Sequence, residues 1–315
     1  METKMPKEFN VFKSEVFYHA IDKALENSCA NGYKREPCYT AALTKELPKI
    51  LNDIMNEEAK RSGMPPKYRF GSCYVHQKPY VKFDTGFTSC CELGDLLVLV
   101  KRTIDGTAAF NSALFQLKKT SNKSQYCVPQ KGGDNKQLTL YTKWGELKID
   151  LKSKPQSTER YDITPHAVSQ GGSYMFIRLD KPSPKFVVAV PDRKMRISPP
   201  SLGVYLYNMT GWRSGRTIAP QGDVCNGCAD DWSRLIWSVI GLLQNETSCS
   251  CKGYGNVTRD NGCGLLSFLT DYSEIYSIGE SENRDSETDD GFGVFYIDVL
   301  DVPDDKTRNS RNGKE

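Results

Sequence analysis

The sequence contains no apolar run long enough to cross a membrane. Its longest apolar stretches, residues 96–100 and 235–243, fall well short of the roughly 20 residues that a transmembrane helix needs. The first twenty residues have neither the apolar segment nor the cleavage site of a secretory signal. We therefore expect a cytoplasmic chain that does not contact membranes.

Histidine is scarce, and nucleotide-binding motifs are missing. None of the three histidines belongs to a zinc-hydrolase motif or to a Ser–His–Asp order. Neither of the common glycine-rich phosphate loops occurs. These absences argue against an ATP-driven enzyme and give no support to histidine-based catalysis.

The net charge is small, only +3 over 315 residues, but it is unevenly distributed. Residues 118–196 hold sixteen Lys/Arg and seven Asp/Glu, a net of +9. Residues 279–315 hold five Lys/Arg and eleven Asp/Glu, a net of −6. A basic segment of this kind suits a polyanion such as nucleic acid. A solvated surface without a partner explains the same charges, so charge alone leaves both readings open.

Hydrophobic periodicity predicts an α+β domain over residues 1–150. Apolar spacing predicts helices at 14–28, at 40–61 with Pro48 inside or at its true start, and at 137–144. Strands are predicted at 68–70, 80–83, 96–100 and 113–118. A turn at 104–107 predicts that the last two strands form an antiparallel hairpin.

The second half of the chain is richer in glycine and proline. Short strands are predicted at 174–179, 186–190, 204–206 and 292–299, and a helix at 230–243. Residues 151–305 form either a second domain or a β-rich extension of the first sheet, and the sequence does not decide between them. Residues 306–315 are predicted to be disordered.

Three polar side chains on the predicted hairpin form the principal candidate site. Asp95 opens the first strand, and Gln116 and Lys118 lie two residues apart on the second, so their side chains share a face. Oxygen atoms of Asp95, Gln116 and the Leu117 carbonyl are ligands of the kind that Mg²⁺ or Mn²⁺ prefers. The metal would activate a water, and Lys118 would position that water or stabilise the oxyanion. This chemistry suits hydrolysis of a phosphodiester.

This arrangement resembles the PD-(D/E)xK nuclease superfamily, whose RecB-type members carry a Gln-x-x-x-Tyr motif on the helix after the lysine strand. Gln137 and Tyr141 occupy that place here. The resemblance implies a restriction-endonuclease-like mixed sheet flanked by helices, DNA as substrate, and a role in restriction or anti-phage defence. It also implies an acidic residue on a preceding helix, for which Glu15 is preferred over Glu46.

The sequence departs from the superfamily pattern at two positions. Gly94 replaces the proline before Asp95, and Gln116 replaces the second acidic residue, which removes one charge from the metal site. The same pattern therefore fits a non-cleaving domain that binds nucleic acid. A third alternative is a protein-interaction or inhibitor protein that uses its acidic tail to contact a protein partner or a second copy.

A cysteine cluster is the second candidate site. Cys225 and Cys228 have the C-x₂-C spacing of a zinc half-site, and Cys249 and Cys251 supply a less usual C-x-C pair. Structural zinc is one interpretation. Free thiols, expected in a reducing compartment, are the other.

Overall fold

The computed structural model describes residues 11–29, 36–63, 65–75, 79–83, 88–104, 107–122, 124–150, 159–164, 171–178, 185–198, 200–244, 249–251, 255–257 and 291–300. The helices within these residues are α1 (Val11–Cys29), α2 (Glu36–Ser62), α3 (Gly133–Lys143), α4 (Leu202–Thr210), α5 (Gln221–Cys225) and α6 (Asp231–Gln244). The first strands are β1 (Tyr68–Val75), β2 (Tyr80–Phe83), β3 (Ser89–Glu92), β4 (Leu96–Ile104), β5 (Thr107–Thr120), β6 (Gln125–Cys127), β7 (Gly145–Asp150) and β8 (Tyr161–Ile163). The later strands are β9 (Gly172–Arg178), β10 (Lys185–Ala189), β11 (Lys194–Arg196), β12 (Arg216–Ile218), β13 (Cys249–Cys251), β14 (Gly255–Val257) and β15 (Phe292–Val299).

A seven-stranded mixed sheet organises the fold. Its strand order is β1-β15-β4-β5-β9-β10. The short strand β12 pairs with residues 110–112 of β5, just before the segment of β5 that pairs with β9. The pairs β15/β4 and β5/β9 are parallel, whereas β1/β15, β4/β5 and β9/β10 are antiparallel. This is the α+β class that the sequence predicts.

The β4–β5 hairpin confirms the predicted pairing. Leu96 pairs with Phe115 at one end, and Ile104 pairs with Thr107 at the turn. Every residue from Leu96 to Val100 is buried, because helices cover one face of these strands and further strands and helices cover the other. A continuous apolar run is the expected pattern for a strand that is buried on both faces.

The last described strand, β15, is an internal strand of the sheet. β15 lies between β1 and β4 and pairs with both along most of its length. β9, β10 and β12 also join strands from the first half of the chain. The described strands β9, β10, β12 and β15 therefore belong to the same sheet as β1, β4 and β5.

Two layers cover the sheet. On one face, α1, α2 and α4 pack over an apolar cluster that includes Phe17, Leu47, Phe115 and Leu206. On the other face, α3, α6 and a four-stranded sheet, β3-β2-β7-β8, enclose a second cluster that includes Tyr141, Tyr174 and Trp232. Among the described residues, no helix combines the length and the apolar character that crossing a bilayer requires.

The helices predicted at 14–28, 40–61, 137–144 and 230–243 are all present, and their first residues differ from the prediction by one to four positions. Pro48 lies inside α2, which begins at Glu36 rather than at residue 40. Residues 204–206, predicted as a strand, belong to α4, so that prediction is wrong. Ser201 caps this helix by accepting a hydrogen bond from the Val204 amide, 3.3 Å away. The cap and the buried residues Leu202, Leu206 and Met209 at helical spacing outweigh the β-branched character of Val204.

The central position of β15 generates a prediction about stability. Phe295 is 2% exposed, and its ring stacks on Phe70 with the centroids 6.1 Å apart. We expect Phe295→Ala to lower the free energy of unfolding by about 3–5 kcal/mol, as for other buried aromatic truncations. Urea denaturation followed by circular dichroism measures this change. The control Val190→Ala removes an apolar side chain that is 74% exposed, and it should change stability by less than about 0.5 kcal/mol.

Candidate functional site

Asp95 is fixed by strands on both sides. Its amide donates to the Phe115 carbonyl of β5 at 2.8 Å, and its carbonyl accepts from the Gly293 amide of β15 at 2.9 Å. The side chain is 3% exposed and lies on the same face of the sheet as α3. The carboxylate therefore has a defined position at the start of β4.

The structure brings Asp95 and Gln116 into direct contact. The Gln116 Nε2 group donates a short hydrogen bond to Asp95 Oδ2, and the same oxygen accepts from the Leu117 amide at 2.8 Å. The prediction that Gln116 and Asp95 share one face is therefore confirmed. The Leu117 backbone contributes its N–H to the carboxylate, whereas the sequence suggested its carbonyl as a metal ligand.

Lys118 lies one step further along the same face, near the end of the central strand β5. Its side chain is 12% exposed, and its Nζ lies 2.8 Å from Asp134 Oδ1 and 4.0 Å from Glu36 Oε2. Glu36 also accepts a hydrogen bond from the Lys119 amide at 2.9 Å. Lys118 is thus held between a carboxylate at the start of α2 and one in the first turn of α3.

The two carboxylates keep Lys118 protonated. Burial alone would lower the pKa of Lys118, but the charges of Glu36 and Asp134 outweigh it and raise that pKa above its usual value. Burial would raise the pKa of Asp134, yet hydrogen bonds from Lys118 and Tyr126 lower it overall. At neutral pH the Lys118 ammonium is therefore ion-paired with the carboxylate of Asp134, and the carboxylate of Glu36 lies close by.

Tyr141 anchors the backbone that carries Asp95. Its hydroxyl donates to the Leu93 carbonyl at 2.7 Å, and burial raises the pKa of this phenol well above its usual value. A Cβ at position 94 would lie 2.9 Å from that hydroxyl oxygen and 3.2 Å from the Phe115 carbonyl. This close approach explains why glycine precedes Asp95. Tyr141 therefore positions the loop, and Gln137 lies one helical turn before it on the same buried face of α3.

The acidic residue expected on a preceding helix is not the one that the structure places near Lys118. Glu15 is exposed on α1, which packs against α2, α4 and β10 on the opposite side of the sheet. Glu46 lies almost three turns into α2, whereas Glu36 begins that helix and reaches Lys118. The pair Glu36–Pro37 was the available signal, because an acidic residue and a proline are both typical of a first helical turn. Asp134 gave no comparable signal.

Exposed cations lie on the elements next to Asp134. Arg193 Nη2 donates to Asn135 of α3 at 2.9 Å, and Lys131 and Lys136 flank Asp134 along the chain. β11 carries two further exposed cations, Lys194 and Arg196, and it pairs with β6, whose Tyr126 contacts Asp134. We call this set the basic rim: Lys131, Lys136, Arg193, Lys194 and Arg196. Lys152 and Lys154, two further lysines of the basic segment 118–196, lie outside the described residues.

The cysteine cluster is only partly described. Cys225 and Cys228 are exposed free thiols at the end of α5. Cys249 and Cys251 lie on β13, which is close to α2. The structure describes their backbone only. Among described side chains, no group of three or more His, Cys, Asp or Glu could hold a metal ion. Structural zinc therefore stays a prediction.

Comparison with protein-family models, with curated proteins and with solved structures found no match to this chain. The case for a function therefore depends on the geometry of its own residues.

The ion pair of Lys118 generates a prediction with a defined pH dependence. We expect Asp134→Asn to lower the free energy of unfolding at pH 7 by about 1–3 kcal/mol, between the values for surface and buried pairs. Because the pKa of Asp134 is lowered in the folded state, its contribution is present above the usual carboxyl pKa near 4 and is lost as the pH falls through the lower, folded value.

Urea denaturation of both proteins over the acid range measures this difference, which should shrink below about pH 4. Asp53→Asn, an exposed change on α2, is the matched control and should show little effect at any pH. A constant difference down to acid pH would mean that the pair does not stabilise the fold by its charge.

Proposed function

We propose that this chain is a divalent-metal-dependent DNA nuclease with a restriction-endonuclease-like arrangement. One observation carries the proposal. Asp95, Gln116 and Lys118 lie side by side on one face of the central β4–β5 hairpin, where β4 begins and β5 ends, under the helix that bears Gln137 and Tyr141. A carboxylate, an amide and an ammonium in one small volume can bind a cation and a phosphate together.

The order of elements around the site also supports this proposal. Two helices precede the hairpin, α3 follows the lysine strand, and β9 then returns parallel to β5. Glu36 and Asp134 come from the two helices that border this end of the hairpin. The PD-(D/E)xK resemblance implies helices on both sides of such a hairpin.

The oxygen atoms at the site fit a hard divalent cation. Asp95 offers a carboxylate, and Gln116 Oε1 is buried without a hydrogen-bond partner among the described residues. Mg²⁺ and Mn²⁺ prefer such ligands, and a bound cation would lower the pKa of water and offset phosphate charge. Because Gln116 is neutral, we expect weaker metal affinity than in a site with two carboxylates.

Lys118 acts as a charge stabiliser in this proposal. Its raised pKa keeps it protonated at neutral pH, so it can donate hydrogen bonds to phosphate oxygens but cannot accept a proton from water. A phosphate that reaches Lys118 competes with Asp134 for the same ammonium. The basic rim would attract the DNA backbone to this end of β5 and offset the charge of the two carboxylates.

A second function remains open because the polar groups already satisfy one another. Gln116 donates to Asp95, and Lys118 pairs with Asp134. A stable network of this kind also suits a non-cleaving domain that holds nucleic acid through the basic rim. The third alternative, an interaction protein with an acidic tail, concerns a tail that lies largely outside the described residues.

The nuclease and the binder differ in how they respond to changes at Asp95. For the nuclease we expect Asp95→Asn to abolish Mg²⁺-dependent cleavage of plasmid DNA and to leave DNA binding largely intact, because it removes an anion near the phosphate. Gln116→Glu should retain or raise cleavage, most clearly at low metal concentration. Gel assays with Mg²⁺, with Mn²⁺ and with chelator measure both effects.

Asp53→Asn serves as the control, since it removes an exposed carboxylate from α2, which packs on the opposite face. If wild type and Asp95→Asn cleave equally well, the catalytic site lies elsewhere. If no variant cleaves but all of them bind DNA, the binder is the better description.

The basic rim generates a separate prediction about binding. We expect the triple variant Arg193→Glu, Lys194→Glu and Arg196→Glu to bind DNA much more weakly and to reduce the slope of log affinity against log salt by roughly 0.9 for each lost phosphate contact. Fluorescence anisotropy over a range of salt concentrations measures this slope.

The matched control reverses Lys23, Lys49 and Lys60, three exposed lysines of α1 and α2. It changes the net charge by the same amount on the opposite side of the sheet. Equal losses in the two triple variants would indicate a general charge effect and would count against the rim as the binding surface.

A further inference from the structure

Three buried oxygen atoms near the site have no hydrogen-bond partner within the described part of the chain. They are Gln116 Oε1, Gln137 Oε1 and the hydroxyl of Tyr174. The three side chains are 2%, 6% and 0% exposed, respectively. Because each buried polar group without a partner costs about 1–3 kcal/mol, three of them in one region need a common explanation.

The three side chains are neighbours. Gln116 and Tyr174 are register partners on the parallel strands β5 and β9, so their side chains leave the sheet side by side on one face. Gln137 lies on α3 between Asp134, which contacts Lys118, and Tyr141, which contacts Leu93. Gln137 therefore lies over the same part of the sheet as Gln116 and Tyr174.

These three oxygens cannot all satisfy one another. Amide oxygens only accept hydrogen bonds, and the adjacent Asp95 carboxylate is also an acceptor. The phenol of Tyr174 carries a single proton. One proton leaves at least one amide oxygen unsatisfied, which favours a positively charged or proton-donating guest.

We propose that Gln137 and Tyr174 complete a divalent-cation site with Asp95 and Gln116. In this site the carboxylate supplies the charge, and the two amide oxygens and the phenol hydroxyl complete the surrounding oxygens. The inference rests on the proposed function, because it concerns the cation that the nuclease would require. It addresses which residues bind this cation and not whether DNA is cleaved. It gives Tyr174 a role that no sequence motif indicates.

Thermal unfolding of the full chain tests this site, with Mn²⁺ as the probe. In chelator, Tyr174→Phe should unfold at the same temperature as wild type or higher, because it removes a buried hydroxyl that lacks a partner. In Mn²⁺, wild type should unfold at a higher temperature, because a ligand that binds only the folded state stabilises that state. Tyr174→Phe and Gln137→Met should each need roughly tenfold more Mn²⁺ for the same gain.

Tyr161→Phe is the matched control. Tyr161 lies on β8 of the four-stranded sheet, and its buried hydroxyl is hydrogen-bonded to Glu159 and to Ser238 of α6, at 2.9 Å each. We expect this change to lower the unfolding temperature in both buffers and to leave the Mn²⁺ dependence unchanged. Mn²⁺ electron paramagnetic resonance then counts the bound ions in each protein.

Three results would overturn the inference. One is the absence of Mn²⁺ binding by wild type at millimolar concentration. Another is binding that survives Asp95→Asn, which would place the ion elsewhere. The third is a Tyr174→Phe protein that is destabilised in chelator and responds to Mn²⁺ like wild type, as expected if a buried water joins these oxygens.

The inference and the proposed function can fail separately. Mn²⁺ binding that depends on Gln137 and Tyr174 without DNA cleavage would support the cation site and reject the nuclease. Cleavage that needs Asp95, together with unchanged Mn²⁺ affinity in both variants, would support the nuclease and reject this ligand set.

Discussion

The position of Asp95 depends on backbone hydrogen bonds to two strands. One is β5, its neighbour in the hairpin, and the other is β15, which is far away along the chain. β5 accepts from its amide, and β15 donates to its carbonyl. The Asp95 carboxylate then accepts from Leu117 and Gln116, so the strand pairing that builds the sheet also orients the site. Any change that shifts β15 would move a charged group that has little freedom to relax, because it is 3% exposed.

The charges around Lys118 keep it cationic near the end of β5, where its side chain is partly exposed to solvent. Glu36 and Asp134 come from different helices and reach the ammonium from two sides. Their joint effect on the pKa outweighs burial, which by itself would favour the neutral amine. The same carboxylates give this end of β5 negative charge, which the exposed cations of the basic rim oppose.

Local signals in the sequence predicted the parts of this site that lie close together along the chain. The turn after β4 and the alternation of Gln116 and Lys118 were sufficient to place them on one face with Asp95. The insertion of β15 between β1 and β4 could not be predicted, because nothing in Phe292–Val299 specifies its partners. Glu36 was missed because α2 begins earlier than its apolar spacing suggests, and Tyr174 reaches the site only through the β5–β9 pairing.

The amide at position 116 gives the buried Asp95 carboxylate a hydrogen-bond donor within the chain itself. As an amide, Gln116 can donate to Asp95, which compensates a buried carboxylate when no metal is bound. A glutamate there would place two buried carboxylates side by side, and their repulsion would raise the pKa of one of them unless a cation lay between them. Glutamine therefore reduces the charge available to a metal and in return removes the requirement for one during folding. If the proposed cation binds here, its binding would then be a separate, reversible step after folding.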